Sequence, residues 1–193
     1  MKKIAVFASG SGTNFQAIAD AVKKGDLQTE IVLFVCDRPG AYSIERAKNE
    51  QVPQFVFSAK DYAGKAEYER AILQRLQESG AEYIILAGYM RLIGPTLLKQ
   101  FEGRIINIHP SLLPAFPGKD AIGQALSANV KVSGVTVHFV DEGMDTGPII
   151  AQAPVEINAD ESLESLQKKI HEVEHKLYPQ VLQNLFYAKM VES

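Results

Sequence analysis

The sequence predicts a three-layer α/β fold: a mostly parallel sheet with helices on both faces and an antiparallel extension in the C-terminal half. Two patterns support this fold class. Up to residue 109, short apolar runs alternate with segments of helical spacing, as in parallel sheets that helices cover on both faces. From residue 131 the chain alternates with a period of two, which favours an antiparallel strand.

The first part of the chain supplies strands and helices in alternation. Apolar residues in its helical segments are spaced by whole turns, as Tyr68, Ile72 and Leu76 are. Pro95 suits the first turn of a helix. In chain order we expect strands at 2–8, 30–36, 54–57, 83–86 and 104–109, and helices at 14–24, 41–49, 63–79 and from 95.

The second part supplies two strands and a long helix. The strands are expected at 131–140 and 148–154, with a loop at 117–124 before them. Ser162 would begin the helix through a Ser-x-x-Ser pattern rather than a full capping box. Neither repeats nor low-complexity linkers divide the chain, so residues 1–193 are expected to form one Rossmann-like domain.

Composition excludes several classes of protein. The formal net charge is −3, so no overall field attracts nucleic acid or an anionic membrane. The one cysteine, Cys36, can form neither an internal disulfide nor a zinc site alone, and its apolar surroundings predict a buried strand. We therefore expect a cytoplasmic protein, monomeric or homodimeric, with small-molecule substrates and no nucleic-acid or membrane partner.

A glycine-rich loop follows the first strand and opens the first helix, with the sequence Ser9-Gly10-Ser11-Gly12-Thr13-Asn14. Glycines permit a tight turn, and the N–H groups at a helix start attract anions. Thr13 and Asn14 can either cap the helix or donate to a phosphate. The spacing matches neither the dinucleotide fingerprint nor the P-loop, so an ordinary turn and a phosphate site both stay open.

Residues suited to acid–base chemistry lie at a predicted strand end. Asn107 and His109 are two positions apart, so their side chains point to the same side, at the sheet edge where open α/β sheets bind ligands. An acidic, glycine-rich loop at 141–147 lies between the last two strands. If folding brings Asp145 to His109, the carboxylate favours the imidazolium form; otherwise His109 is an ordinary strand-end histidine.

These residues resemble the motifs of the folate-dependent formyltransferases. The matching runs are Asn107-Ile108-His109-Pro110-Ser111-Leu112-Leu113-Pro114, Gly134-Val135-Thr136-Val137-His138-Phe139-Val140 and Asp145-x-Gly147-Pro148. The resemblance covers essentially the whole chain, and the 10–14 loop is typical of members that formylate a ribonucleotide. It implies transfer of a formyl group from the co-substrate 10-formyltetrahydrofolate to N1-(5-phosphoribosyl)glycinamide, in de novo purine (IMP) biosynthesis, without a metal.

The resemblance also implies roles for individual residues. The amine would attack the formyl carbon directly, with Asn107 and His109 stabilising the oxyanion, Asp145 assisting, and His138 structural. The ribonucleotide would contact Gly12, Thr13, Asn14, Pro110 and Glu174. The folate would contact Lys65, Met90, Arg91, Leu92, Ile93, Leu98, Ile105, Asn107 and Val140, with Arg91 and Lys65 at its glutamyl end and the 141–145 loop around the pterin.

Other functions match parts of the sequence. His171-Glu172-Val173-Glu174-His175 has the His-Glu-x-x-His pattern of zinc proteases, but no later histidine supplies a third ligand. Within the family, a methionyl-tRNA formyltransferase would need a further C-terminal domain and a basic RNA surface, and a formyl-folate hydrolase usually has an extra N-terminal domain. A non-catalytic binding module would be expected to lack at least one of Asn107, His109 and Asp145.

Overall fold

The structure, a computed structural model, describes residues 1–188. The strands are β1 (Lys2–Phe7), β2 (Thr29–Cys36), β3 (Gln54–Val56), β4 (Tyr83–Leu86), β5 (Ile105–His109), β6 (Val132–Phe139) and β7 (Ile149–Glu156). The helices are α1 (Thr13–Lys24), α2 (Tyr42–Asn49), α3 (Lys65–Ser79), α4 (Pro95–Gln100), α5 (Ala121–Ser127) and α6 (Leu163–Tyr187). A 3₁₀ turn at Ala59–Asp61 precedes α3.

The strands form a seven-stranded sheet in the order β3-β2-β1-β4-β5-β6-β7. Strands β1 to β5 run parallel, whereas β6 pairs antiparallel with β5 and β7 with β6. This topology confirms the predicted fold class. The β5–β6 register places Asn107 opposite His138 and His109 opposite Thr136, so these four side chains share one face of the sheet.

The core consists of two apolar clusters, one on each face of the sheet. Neighbouring residues of β1 divide between them: Ile4 and Val6 belong to one cluster, and Ala5 and Phe7 to the other. This division follows from the alternation of side chains along a strand. The first cluster includes Phe15 and Ile18 of α1 with Leu166, Ile170 and Leu182 of α6, and the second includes Tyr68, Ile72 and Leu76 of α3 with Leu97 of α4.

Helix α6 contacts the sheet directly through Tyr178. This residue is fully buried, and its hydroxyl oxygen is 2.9 Å from the carbonyl oxygen of Leu86 and 3.1 Å from that of Ile106. Leu86 ends β4, and Ile106 lies in the neighbouring β5. The hydroxyl therefore fixes α6 against the two strands whose ends open into the cavity described below.

Where the predicted elements exist, their boundaries differ from the observed ones by at most two residues. The Ser162 cap is confirmed, since its side chain accepts the N–H of Ser165 at 3.0 Å. The prediction of a loop throughout 117–124 is wrong, because α5 begins at Ala121. Its N-cap, Asp120, accepts the N–H of Gly123 at 3.2 Å and stabilises a helix start that Pro117 and Gly118 make improbable from sequence alone.

Among residues 1–188, none of the helices combines the length and the apolar character needed to cross a membrane.

Candidate active site

A cavity of about 780 Å³ opens at the carboxyl ends of β1, β4 and β5. The loops after these strands line it, together with the loop between β6 and β7 and the middle of α6. Open α/β sheets bind ligands at this edge. The lining residues that matter below are Gly12, Thr13, Asn14, Arg38, Met90, Arg91, Leu92, Ile93, Asn107, His109, Pro110, Val140, Asp145, His171 and Glu174.

His109 and Asp145 meet in this cavity. Nδ1 of His109 is 3.5 Å from Oδ2 of Asp145, and Nε2 donates to the carbonyl oxygen of Phe116 at 2.9 Å. Both ring nitrogens of His109 therefore face a hydrogen-bond acceptor. The same Asp145 oxygen accepts the N–H of Gly118 at 2.8 Å, which fixes the carboxylate to the segment before α5.

Asn107 is oriented by His138, on the neighbouring strand. Nδ2 of Asn107 is 3.3 Å from Nε2 of His138, whose Nδ1 donates to the carbonyl oxygen of Phe139 at 2.8 Å. Burial lowers the pKa of His138, so its neutral ring accepts at Nε2, and the 3.8 Å approach of Asp145 Oδ1 is not an ion pair at neutral pH. An amide has two N–H bonds, so Asn107 keeps a second donor for a ligand.

The 10–14 loop has a backbone that requires glycine at one position. Gly12 precedes α1 with φ 74° and ψ 27°, in the left-handed region. A Cβ at Gly12 would lie 2.6 Å from Cβ of Ser43, so α2 also excludes a side chain there. The side chains of Thr13 and Asn14 do not cap α1, so the helix-capping role considered for them from the sequence is excluded. Nε of Arg46 donates to the carbonyl oxygen of Ser11 at 2.7 Å and fixes the loop from the α2 side.

Glu174 places a buried carboxyl group next to this loop. It is 5% exposed, and its Oε2 accepts from Nδ2 of Asn14 at 3.3 Å. Burial raises the pKa of Glu174 to about 7, although the hydrogen bond from Asn14 lowers it. The carboxyl group therefore changes its charge near neutral pH, at a point where the 10–14 loop and α6 converge.

The segment 90–93 forms an apolar side of the cavity. Met90 and Leu92 are 62% and 51% exposed, so they present apolar surface to the cavity that they line. Between them, Arg91 is already paired, since its Nε donates to Oδ2 of Asp37 at 2.7 Å. Its guanidinium also lies 5.6 Å from the ring centre of Tyr68. Arg91 thus brings a largely compensated charge to the cavity.

Three of the predicted folate contacts lie outside the cavity lining. Ile105 is 2% exposed and packs in the cluster on the α3 and α4 face, against which Leu98 is partly buried. Lys65, the first residue of α3, is exposed, and its side chain passes beside Gly94. Ligand contact by these three residues stays a prediction, as do the roles of the lining residues.

Sequence reasoning does not identify two polar residues in or near the site as functional. The first is His138, which is assigned only a structural role. Its approach to Asn107 depends on the β5–β6 register, and the residue pattern alone does not provide that register. Arg38 lines the cavity just after β2. The sequence does contain a signal for Arg38, because this residue follows a predicted strand. In a parallel sheet the carboxyl end of that strand lies at the same edge as the carboxyl end of the strand that carries Asn107.

The zinc-protease alternative finds no support in the geometry. His171 and His175 share a face of α6, with ring centres 6.3 Å apart. Among residues 1–188 no cluster of three or more His, Cys, Asp or Glu side chains is arranged to hold a metal ion. Glu174, from the same motif, points to the 10–14 loop instead, as its bond to Asn14 shows.

Comparison with known proteins agrees with the motif resemblance. The sequence profile described as formyl transferase matches residues 2–182. Phosphoribosylglycinamide formyltransferase of Bacillus subtilis (strain 168) is 56% identical over 185 residues, which cover 96% of this chain and 95% of that protein. The chain belongs to the formyl transferase family.

Other members of the formyl transferase family are similar over nearly the same span. Phosphoribosylglycinamide formyltransferase of Haemophilus influenzae is 42% identical over 94% of this chain and 86% of its own length. The crystal structure of glycinamide ribonucleotide transformylase 1 from Geobacillus kaustophilus has a TM-score of 0.95 and 65% identity, covering 97% of this chain and 100% of that chain. The chain therefore shares the fold of the solved enzyme and a large part of the sequence of both proteins.

Proposed function

We propose that residues 1–193 act as one cytoplasmic formyltransferase domain. It transfers the formyl group of 10-formyltetrahydrofolate to the amine of N1-(5-phosphoribosyl)glycinamide, in de novo purine biosynthesis, and releases tetrahydrofolate. One observation carries the proposal: Asn107, His109 and Asp145 line the same cavity as the 10–14 loop, in a chain that is 56% identical to a phosphoribosylglycinamide formyltransferase. Both reactants are small molecules, and the cavity of about 780 Å³ suits ligands of that size.

The chemistry is a direct transfer. The amine nitrogen attacks the formyl carbon and forms a tetrahedral intermediate with an oxyanion and an ammonium group. The bond from the formyl carbon to N10 of the folate then breaks, and N10 takes the electron pair and a proton. The new amide nitrogen loses a proton, so the net change is a formyl transfer in one direction and a proton transfer in the other.

His109 and Asp145 supply the proton transfer in this proposal. A doubly protonated His109 ring beside the intermediate stabilises the oxyanion and acts as general acid toward N10. The carboxylate of Asp145, 3.5 Å from Nδ1, stabilises that charged ring. In the ligand-free protein the Phe116 carbonyl, 2.9 Å from Nε2, accepts that N–H, so the reacting atoms must replace this carbonyl as the partner of Nε2.

Asn107 supplies a neutral donor to the same oxyanion. Its Nδ2 uses one hydrogen toward Nε2 of His138 at 3.3 Å, which fixes the amide plane and leaves the other hydrogen for the substrate. Donors that are fixed before the reaction stabilise developing charge without having to reorganise. We therefore assign His138 as a positioning residue for Asn107.

The two substrates occupy opposite parts of the cavity in this proposal. The loop at 10–14 and the start of α1 bind the ribonucleotide phosphate through backbone N–H groups. Glu174, beside Asn14, accepts from the amine-bearing end of that substrate. The exposed side chains of Met90 and Leu92 cover the pterin and benzoyl rings of the folate, which need an apolar surface.

A single assay tests this function. Purified protein is mixed with 10-formyltetrahydrofolate, and tetrahydrofolate formation is followed by absorbance with and without N1-(5-phosphoribosyl)glycinamide. We expect turnover only when the ribonucleotide is present. Equal turnover without it would identify a hydrolase, and no turnover in either mixture would leave a binding module as the better explanation.

A further inference from the structure

We propose that Asp37 and Ser9 are positioning residues for the folate: together they hold the 90–93 segment in the shape that receives the ligand. This inference deepens the proposed function and rests on it. It assigns a role to the buried Asp37 carboxylate and the buried Ser9 hydroxyl, which take no part in the formyl transfer chemistry. Both residues lie at the ends of strands, close to the cavity but behind its surface.

The contacts join the carboxyl ends of three adjacent strands. Asp37 follows β2, Ser9 follows β1, and the 90–93 segment follows β4; β2, β1 and β4 are neighbours in the sheet. One oxygen of Asp37 accepts from the Ser9 hydroxyl at 2.5 Å, and the other accepts from Nε of Arg91 at 2.7 Å. The Ser9 hydroxyl oxygen in turn accepts the backbone N–H of Met90 at 2.9 Å.

Burial makes this bridge stiff. Asp37 is 4% exposed and Ser9 is 1% exposed, so water does not compete for their hydrogen bonds. The backbone N–H of Ser9 also donates to the carbonyl oxygen of Gly88 at 3.0 Å, which ties Ser9 to the chain just before the segment. Hydrogen bonds to a charged acceptor are about twice as strong as neutral ones.

The segment needs such a bridge because it has no regular secondary structure of its own. Residues 90–93 lie between the end of β4 and the start of α4. The side chains of Met90 and Leu92 face solvent in the free protein, so core packing fixes only the Ile93 end of the segment. At the far end the backbone N–H of Gly94 donates to buried Glu69 at 2.6 Å. The segment is thus held at both ends by buried acceptors.

The charges support positioning rather than direct capture of the folate by Arg91. The Arg91 cation is paired with Asp37 and lies 5.6 Å from the ring centre of Tyr68, so much of its attraction for a distant anion is already compensated. Removing the Asp37 charge would increase that attraction, but it would also release the segment. The two effects change folate affinity in opposite directions, which makes them distinguishable.

The test compares Asp37→Asn with Ser9→Ala and a control, Asp26→Asn, whose side chain is exposed on the loop after α1. Asp37→Asn keeps the side-chain size but removes the charge, so the charge-assisted hydrogen bonds to Ser9 and Arg91 are weakened. With the amide oxygen toward Arg91, the amide nitrogen faces Ser9, whose hydroxyl must then accept instead of donate. We expect Asp37→Asn to raise the KM for 10-formyltetrahydrofolate roughly tenfold. The KM for the ribonucleotide should change by less than about twofold, and Asp26→Asn should match the wild type.

Two further readouts separate positioning from tail capture. The same KM ratio should appear with 10-formyltetrahydropteroate, which lacks the glutamyl tail. Amide hydrogen exchange in the ligand-free protein should become faster at residues 89–92 in both Asp37→Asn and Ser9→Ala. Ser9→Ala keeps the Asp37–Arg91 pair, so it still tests the bridge if Asp37→Asn fails to fold.

Two results would overturn the inference. A lower folate KM in Asp37→Asn, seen only with the glutamylated substrate, would make Arg91 a tail ligand and overturn the inference. An unchanged folate KM together with unchanged amide hydrogen exchange in both Asp37→Asn and Ser9→Ala would overturn it as well. If the wild-type protein fails to formylate the ribonucleotide, the proposed function is wrong, and exchange at residues 89–92 still reports whether the bridge exists.

Discussion

The proposed catalytic residues Asn107 and His109 and the 90–93 segment line the same cavity but are fixed in different ways. Asn107 and His109 are strand residues, and the pairing of β5 with β6 determines their positions. The 90–93 segment is a loop whose position depends on single hydrogen bonds to buried residues far away in the chain. We therefore expect changes near the strand pair to alter kcat and changes to the loops to alter substrate affinity.

The largest effect should come from the strand pair itself. His109→Ala or Asn107→Ala should lower kcat by roughly 100- to 1000-fold, the usual cost of losing an oxyanion donor, with both KM values nearly unchanged. Steady-state kinetics with both substrates varied would measure this. Asn158→Ala, at an exposed loop position, serves as the control. A His109→Ala enzyme with normal kcat would refute the assignment.

Glu174 adds a helix residue to the comparison of strand and loop positions. Helix α6 holds its carboxyl group in a buried position, and ionising the group there lowers the stability of the protein. Its pKa in the folded protein, about 7, is above the ordinary value of 4.5, so the protonated form favours folding. The penalty for ionising it is absent below pH 4.5, grows as the pH rises to 7, and is constant above that. Glu174→Gln removes the penalty and should stabilise the ligand-free protein at pH 8 by at most about 3 kcal/mol.

Urea unfolding at pH 5 and pH 8 would check this prediction. The gain of Glu174→Gln over the wild type should be larger at pH 8 than at pH 5. Glu172→Gln, an exposed neighbour on α6, should show no such dependence on pH. A gain that is equal at both pH values would mean that the Glu174 carboxyl group is not the source of the penalty.

Gly12 tests the loop side of the comparison. Gly12→Ala forces a side chain into a backbone with φ 74° and places its Cβ 2.6 Å from that of Ser43. We expect the KM for the ribonucleotide to rise roughly tenfold or more and the folate KM to stay within about twofold. Gly10→Ala, where a Cβ would have no neighbour within 4 Å, should have a clearly smaller effect. A fall in kcat alone would contradict the division between strand and loop.

The smallest effect should come from His138. His138→Phe keeps the ring but removes the nitrogen that orients Asn107, so kcat should fall by roughly five- to tenfold with little change in KM. His138→Gln, which retains an acceptor, should recover part of the loss. If both variants have the wild-type kcat, then Asn107 does not depend on this partner.

The contrast between positions fixed by local chain pattern and positions fixed by distant contacts explains how much can be predicted from the sequence. The order of strands and helices follows from apolar periodicity, which is local, and so nearly every predicted element boundary is close to the observed one. The approach of Asp145 to His109 can be anticipated because His109 ends a predicted strand and Asp145 lies in the acidic loop between the last two strands. Helix α5 is not predicted, because its start depends on one cap, Asp120, in a segment rich in turn-forming residues.

What the sequence does not reveal is mostly pairing across the sheet. His138 orients Asn107 only because a particular antiparallel register places them opposite each other. Asp37 pairs with Arg91 across 54 positions, and no local pattern links two such residues. Single side chains become partners through the tertiary fold, and periodicity carries no information about that step.

The position of α6 has a consequence for protein synthesis. Asn14 of the 10–14 loop is hydrogen-bonded to Glu174, 160 positions later, and the Tyr178 hydroxyl donates to carbonyl oxygens of β4 and β5. A growing chain on the ribosome therefore carries every strand of the sheet before it has the helix that completes the cavity. Since Glu174 is proposed to contact the ribonucleotide, we expect the polypeptide to bind this substrate only after α6 has emerged.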